Sequence, residues 1–516
     1  MAESNNKRIV KNTAYLYLRM LFTSFLSLYA ARLILQNLGV EDFGIYNVVG
    51  GVVTFMGFLT ATMSSATQRF LTYHLGTGDS IRFKQTFSLL INVYLIFCAG
   101  ALVILEVVGP LYISHYMTIP QERVAAAQWV FQFSLLTFLV NTMSVPLKSS
   151  IVAYEKMGVY AYVGIAEVVL NLGIVMALPY ISYDKLIIYA LLTCVMYVGL
   201  VLIMAIYCHQ KFMDCRYIKY WNGKDVKEIL SYSGWNLFGS TTGVMNLQGQ
   251  AIVLNHFFGP IVNGAKAVAD RVNSMITQFS HNFYMAVTPQ IIKSYASGNI
   301  EYMRSLVLNS SRYSFLMLYL VSVPLFVAME PLLNIWLGKE QVSMEMIRFC
   351  QCTIIYSLVN ILEQPLTMAV RATGDIKKYQ VYVGSLTLTF IPLCIVLFLL
   401  GAPAYYSMLL LSLVFLVAMV IRVLIVAPII KIKPVDYAKQ VIVPISIVMI
   451  ITIVVIVLLS RITLSDQYDQ ILKGVVSFLV AIMASIFIGL HRNERLLMLS
   501  FIKGKLMKLK RGKIIN

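Results

Sequence analysis

Apolar runs of about twenty residues or more follow one another along almost the whole chain, from Val10 to Leu490, with short polar stretches between them. Each run is long enough to cross roughly 30 Å of hydrocarbon as a helix. The pattern predicts about fourteen helical spans, over residues 9–36, 43–72, 85–113, 124–147, 157–180, 185–210, 228–257 and 265–292, then 305–329, 345–369, 379–400, 404–430, 437–459 and 470–490. No soluble domain large enough to do chemistry outside the bilayer is left over.

Composition agrees with this reading: 59% of the 516 residues are hydrophobic and only 12% are charged, too apolar for a water-soluble fold. The formal net charge of +18 is topological. With the N-terminus inside, most Lys and Arg residues fall on the cytoplasmic side, as the positive-inside rule requires. Lys211, Arg216, Lys219, Lys224 and Lys227 crowd one inner loop, whereas the outer turn from Asn37 to Asp42 has no basic residue. That distribution argues against nucleic acid as a partner and puts both termini in the cytoplasm. Lys7, Arg8 and Lys11 before an apolar run resemble a signal-peptide start, but the run is too long, and it reads as a retained first helix. The seven cysteines, Cys98, Cys194 and Cys394 among them, sit mostly inside spans without metal-ligand spacing and read as small packing residues. No metal and no cofactor is expected.

The sequence matches itself at a displacement of about 220 residues. Gly39, Gly44 and Gly78 answer Gly259, Gly264 and Gly298, and Val48 and Val52 answer Val268 and Val272. Pro110-Leu111 answers Pro331-Leu332, Pro146-Leu147 answers Pro365-Leu366, and Tyr162-Val163-Gly164 answers Tyr382-Val383-Gly384. Six helices per copy is an even number, so both copies enter from the same side. The expected fold is an all-α polytopic membrane protein, two six-helix lobes in parallel repeat plus two C-terminal helices. Its parts are an N-terminal lobe over 1–211, a basic cytoplasmic linker over 212–227, a C-terminal lobe over 228–430, two further helices over 431–490 and a basic cytoplasmic tail over 491–516. Such a plan suits a carrier that rocks one lobe against the other around a midplane site. Leu38-Gly39 and Phe258-Gly259 allow tight reversals, as hinges or as simple turns.

Charged residues inside spans cost about 2.5–3.5 kcal/mol each on insertion scales and therefore need a cavity, a partner or a path to the interface. In the first span Asn12, Tyr15, Arg19, Thr23 and Ser27 form one polar stripe, with Arg19 in the inner half. Arg32, near its outer end, is a ligand contact or snorkels. The second span carries Gly50, Gly57, Thr60, Ser64 and Gln68 on one face and Arg69 at its inner end. The seventh holds Asn236, Ser240, Thr241, Thr242, Asn246, Gln248 and Gln250, and the eighth Lys266, Asp270, Arg271, Asn273, Ser274, Thr277, Gln278 and His281. Helices this polar cannot face lipid on most sides. Asp270 is a site residue or neutralises a neighbouring base. Glu106, Glu167 and Glu363 titrate during transport or pair structurally with Arg348 or Arg422. The tail alternates Leu496, Leu499, Ile502, Leu506 and Leu509 with Lys503, Lys505, Lys508, Lys510 and Arg511, which suits a helix on an anionic leaflet or a disordered basic segment.

The stretch from Asn12 to Gly78, with Ala31-Arg32-Leu33, Leu38-Gly39-Val40-Glu41-Asp42-Phe43-Gly44-Ile45-Tyr46 and Ala66-Thr67-Gln68-Arg69-Phe70, resembles Wzx-type polysaccharide flippases. These belong to the multidrug/oligosaccharidyl-lipid/polysaccharide exporter superfamily. The resemblance implies a MATE-like bundle in the bacterial inner membrane, with a central cavity lined by the first, second, seventh and eighth helices. It implies a lipid-linked oligosaccharide as substrate, a polyprenyl-pyrophosphate-linked lipopolysaccharide or capsule repeat unit, and a non-enzymatic flipping activity. Polysaccharide polymerase machinery is an implied partner, besides the lipid bilayer itself. The coupling ion would be H⁺ or Na⁺, with downstream sugar consumption as the alternative drive. Arginine pairs bidentately with phosphate oxygens. By helix and depth Arg19 and Arg271 match cavity arginines of related flippases, and Arg32, Arg69, Gln68, Asn246, Asp270 and Asn273 complete the expected site. A multidrug exporter of the same superfamily and a membrane glycosyltransferase or polymerase stand as rival readings.

Overall fold

The computed structural model describes residues 2–115, 119–461, 469–490 and 494–495. All but Glu494 and Arg495 of the expected basic tail lies outside the described residues. The described chain is helical throughout, without a strand.

Helix α1 runs over Ala2–Thr77 and α7 over Gly223–Ala296, and each contains two expected spans merged across one glycine. Gly39 has φ 80° and ψ 169°, and Gly259 has φ 78° and ψ −174°. A Cβ at either would meet no atom within 4 Å, so the positive φ, not crowding, requires glycine at both reversals. Of the two other glycine pairs of the expected repeat, Gly78 and Gly298 also share a positive φ, 74° and 73°.

Between α1 and α7 lie α2 (Ser80–His115), α3 (Val124–Met143), α4 (Val145–Ala153), α5 (Met157–Ala177) and α6 (Lys185–Lys211). After α7 come α8 (Ile300–Val327), α9 (Met329–Leu337), α10 (Met344–Asn360), α11 (Glu363–Thr373), α12 (Lys377–Leu388), α13 (Phe390–Leu399) and α14 (Tyr406–Ile429). The chain closes with α15 (Pro434–Tyr437), α16 (Val443–Ser460) and α17 (Asp469–Ala484). Several expected spans are split near prolines. Pro146 opens α4 after the break at Ser144, Pro365 lies in the first turn of α11, and Pro392 lies in the first turn of α13 after Thr389. Proline lacks the N–H and clashes with the preceding turn, so an interrupted helix is the expected result.

Eleven helices are long and apolar enough to cross a membrane among the described residues. The remaining expected spans are also helical, in the second part of α1 and both parts of α7. In α7 the polar residues already noted dilute the apolar run. Rows such as Val103, Ile104 and Val107 on α2, or Leu413, Val417, Val420 and Leu424 on α14, are exposed. Faces this apolar have no place in water and mark the lipid-facing side.

The fold divides into two compact units. Unit 1 comprises Met1–Thr241, Met285–Met303 and Arg371–Gln380, and unit 2 comprises Thr242–Tyr284, Arg304–Val370 and Val381–Asn516. In unit 1, α1 packs against α3, α4 and α5, and α3 against α2 and α6. Ile45, Val49, Leu105, Val130, Phe131, Leu135 and Leu186 form one buried cluster in it. Arg123, beside the start of α3, pairs with Asp42 of α1 and with Asp184, whose carboxylate also caps α6 through the N–H groups of Leu186 and Ile187. In unit 2, α10 packs on α14 and α16 on α17. All seven cysteines are free and buried.

Candidate functional site

Unit 1 holds Arg19 within reach of a polar network. The Arg19 guanidinium lies 4.7 Å from the centre of the Tyr160 ring and crosses Gly164, where a Cβ would stand 2.6 Å from Arg19 Nε. Its charge acts on Lys148, as does that of Glu167. Glu167 accepts a hydrogen bond of 2.7 Å from Tyr197, and Lys148 Nζ reaches Asn141 Oδ1 at 3.5 Å. No ion pair holds Arg19 among the described residues.

Tyr197 and Asn141 also line a cavity of about 450 Å³ whose walls come from α1, α3, α5 and α6. Its other polar walls are Asn47, Ser134, Thr137, Asn171, Tyr189 and Thr193, with Tyr46 and Phe138 adding aromatic faces. Hydroxyls, amides and aromatic rings without a charged side chain are the lining a neutral polyhydroxyl group needs. The signal is present in the sequence. Ser134, Thr137 and Asn141, and Tyr189, Thr193 and Tyr197, recur at helical spacing inside apolar helices. The far more polar first, second, seventh and eighth spans overshadow them.

The other sequence-predicted residues of unit 1 are not gathered around this cavity. Arg69 is buried, with its guanidinium 4.6 Å from the Phe70 ring centre, 4.9 Å from that of Tyr73 and 5.9 Å from that of Tyr232, and Glu228 is 3.9 Å away. Gln68 is half-buried and Arg32 exposed. Near Arg69, Asn236 donates to the Thr62 carbonyl at 3.1 Å and Arg371 donates to Asn236 at 3.3 Å. Glu155, in the turn between α4 and α5, is buried and accepts from Gln290 and Lys293 of α7. Burial pushes the Lys293 ammonium below the usual lysine range, and Glu155 offsets part of that.

Unit 2 gathers charges of both signs along the second part of α7. Lys266 Nζ lies 2.7 Å from Asp270 Oδ2, so Asp270 neutralises the buried lysine one turn before it. Asn273 accepts from Ser357 at 2.6 Å. Arg271 is exposed and has no ion pair or hydrogen bond to a described residue. Glu363 at the start of α11 pairs with Arg422 of α14 at 2.8 Å, and Arg422 lies 5.6 Å from the Phe415 ring centre. In the first part of α7, Asn246 is only 4% exposed, yet neither side-chain amide atom meets a hydrogen-bond partner among the described residues. One turn on, Gln250 donates to Ser407 at 2.9 Å while its own Oε1 meets no hydrogen-bond donor among the described residues.

A MatE family model matches residues 237–396. The chain is 19% identical over 327 residues to the uncharacterized membrane protein EpsK of Bacillus subtilis (strain 168), a match covering 62% of this chain and 63% of that relative, so it spans less than two thirds of the relative's length. Among solved structures, a MATE transporter in its bent conformation superposes with a TM-score of 0.70 at 13% identity, covering 84% of this chain and 97% of that one. An outward-facing multidrug resistance MATE family transporter of the MOP superfamily gives 0.69 at 12% identity, with coverage of 83% and 96%. A MOP superfamily transporter from Pyrococcus furiosus, for which a reverse polarity of the binding pocket is described, gives 0.68 at 14%, again covering 83% and 96%. The chain therefore carries a MatE-matching region and has the fold of the MATE transporters.

Proposed function

We propose that the protein is a flippase that moves a polyprenyl-pyrophosphate-linked oligosaccharide across the bacterial inner membrane by alternating access, with both termini in the cytoplasm. The MATE fold supports transport as the activity class. One observation carries the choice of ligand. Every acidic side chain described deep in a span is engaged: Glu363 with Arg422, Asp270 with Lys266, Glu167 with Tyr197 and Glu106 with Gln132. Arg19 and Arg271 have no carboxylate partner among the described residues.

Unpaired arginines beside paired acids favour an anion, and the planar guanidinium suits phosphate oxygens. Each unit offers its own cationic contact, Arg19 in unit 1 and Arg271 in unit 2. The hydroxyl- and amide-lined cavity of unit 1 suits the sugar. Reversed pocket polarity, as described for the Pyrococcus furiosus transporter, is in keeping with an anionic cargo for a protein of this fold. Transport is coupled to H⁺, to Na⁺ or to consumption of the exported sugar by polymerase machinery.

The test is the double variant Arg19→Gln/Arg271→Gln in cells that assemble surface polysaccharide. Export falls sharply at unchanged protein level if these arginines hold the headgroup. Export that persists at the wild-type level removes them from the site.

A further inference from the structure

Within unit 2 a second cavity, of about 420 Å³, opens where the ends of α8, α9 and α10 meet those of α16 and α17. It is remote in sequence from the residues assigned above, and it ties the two helices outside the repeat to the repeat itself. Its rim carries two carboxylates, Glu330 and Asp469, and two cations, Arg348 and Lys473. Val327, Ile347, Ile456 and Leu459 supply an apolar wall.

The polar groups are only partly satisfied. Lys473 Nζ lies 2.6 Å from Asp469 Oδ2, and Gln470 donates to Glu330 at 3.1 Å. Arg348 donates to the Tyr405 hydroxyl at 2.9 Å and has no carboxylate partner among the described residues. Among the described residues Asp469 Oδ1 is buried without a hydrogen bond, and Ser477, fully buried and lining the cavity, has an unpartnered Oγ. Buried polar atoms of this kind cost free energy until a ligand or water meets them.

The charge pattern selects among ligands. A lone anion would face Glu330 and Asp469, and a lone cation would leave Arg348 unmatched. A zwitterion with a phosphate and a primary ammonium matches both halves: phosphate toward Arg348 and Lys473, and ammonium N–H groups toward Asp469 Oδ1 and Glu330. A trimethylated ammonium has no N–H to give. The apolar wall suits the glycerol and first methylenes of an acyl chain. We propose that this pocket binds phosphatidylethanolamine from the leaflet opposite the one that faces the termini, and that the lipid braces α16 and α17 against α8–α10.

Native mass spectrometry of the full-length protein, equilibrated with vesicles of phosphatidylethanolamine, phosphatidylcholine or phosphatidylglycerol and released in detergent, tests the proposal. Wild-type protein retains the ethanolamine lipid at least about tenfold more than either other lipid, the size of effect expected from one charge-assisted contact. Equal retention of the glycerol lipid or of the choline lipid overturns the proposal without any variant. Glu330→Gln and Asp469→Asn, each folded by its melting temperature, abolish the preference, whereas Arg348→Gln lowers retention of all three lipids together. A preference unchanged in both folded carboxylate variants also overturns it, because the lipid then binds elsewhere.

Discussion

Arg69 and Gly374 divide one small space between them: Gly374 turns the chain after α11 with φ 85°, and a Cβ there would stand 2.3 Å from Arg69 Nη2. The turn therefore needs glycine for two reasons, the left-handed backbone and the guanidinium beside it. Both residues belong to unit 1, where Arg69 is boxed by Phe70, Tyr73 and Tyr232.

Gly374→Ala should destabilise the protein more than Gly401→Ala does. Gly401 has φ 81° but nothing within 4 Å of an added Cβ, so alanine there meets only the backbone penalty of about 1–2 kcal/mol. At position 374 the displaced guanidinium adds to it. Melting temperatures of the two purified variants decide the matter, and equal losses would mean that Arg69 yields freely.

The Arg123 cluster predicts a pH dependence. Burial acts to raise the Asp184 carboxyl, but Arg123 and the N–H groups of Ile187 and Leu186 outweigh it and hold the carboxyl below its ordinary value. A depressed carboxyl stabilises the fold above the unfolded pKa, and that stability is lost as pH falls through the folded one. Arg123→Met should therefore melt below wild type at pH 7, with the gap narrowing below about pH 4 as the Asp184 carboxyl protonates. A gap independent of pH would assign the loss to packing.

Glu363→Leu should remove the carboxylate that neutralises Arg422, whose side chain is only 3% exposed. Breaking a buried pair from one side costs about 3–5 kcal/mol. Adding Arg422→Met should restore most of that loss, as a double-mutant cycle on thermal stability would record. Additive losses would mean that the two side chains are not energetically coupled.

Ser134→Phe fills part of the unit 1 cavity, and its effects on stability and activity should have opposite signs. The melting temperature should hold or rise, since filling a void stabilises. Transport of the sugar-bearing lipid should fall because its polar pocket is occupied. Unimpaired transport would detach the cavity from the substrate path.

Much of this is legible in the sequence, and the physics explains which parts. Helices announce themselves by apolar length, and Gly39 and Gly259 mark reversals at which the structure has a positive φ. Glu106, Glu167 and Glu363 stand out as acids inside spans with Arg348 or Arg422 as candidate partners, and of the three the fold places Glu363 against Arg422. The unit 1 cavity is not legible in the same way, because its walls come from residues scattered over four helices, each weakly polar on its own. Glu155 with Lys293, and Arg123 with Asp42 and Asp184, are hidden for a different reason. They lie at span ends, where charge is ordinary, and only tertiary packing joins residues that far apart in sequence.

The central claim is that the protein moves an anionic, sugar-bearing lipid without altering it. The most direct measurement is reconstitution into liposomes holding a fluorescent polyprenyl-pyrophosphate-linked oligosaccharide, with a membrane-impermeant quencher outside. The account predicts protein-dependent transfer between leaflets, recovery of the lipid chemically unchanged, and an initial rate at least about tenfold lower in Arg19→Gln/Arg271→Gln, as loss of charge-assisted contacts requires. No transfer, chain extension, or a rate indifferent to both substitutions while cationic drugs are exported would contradict it.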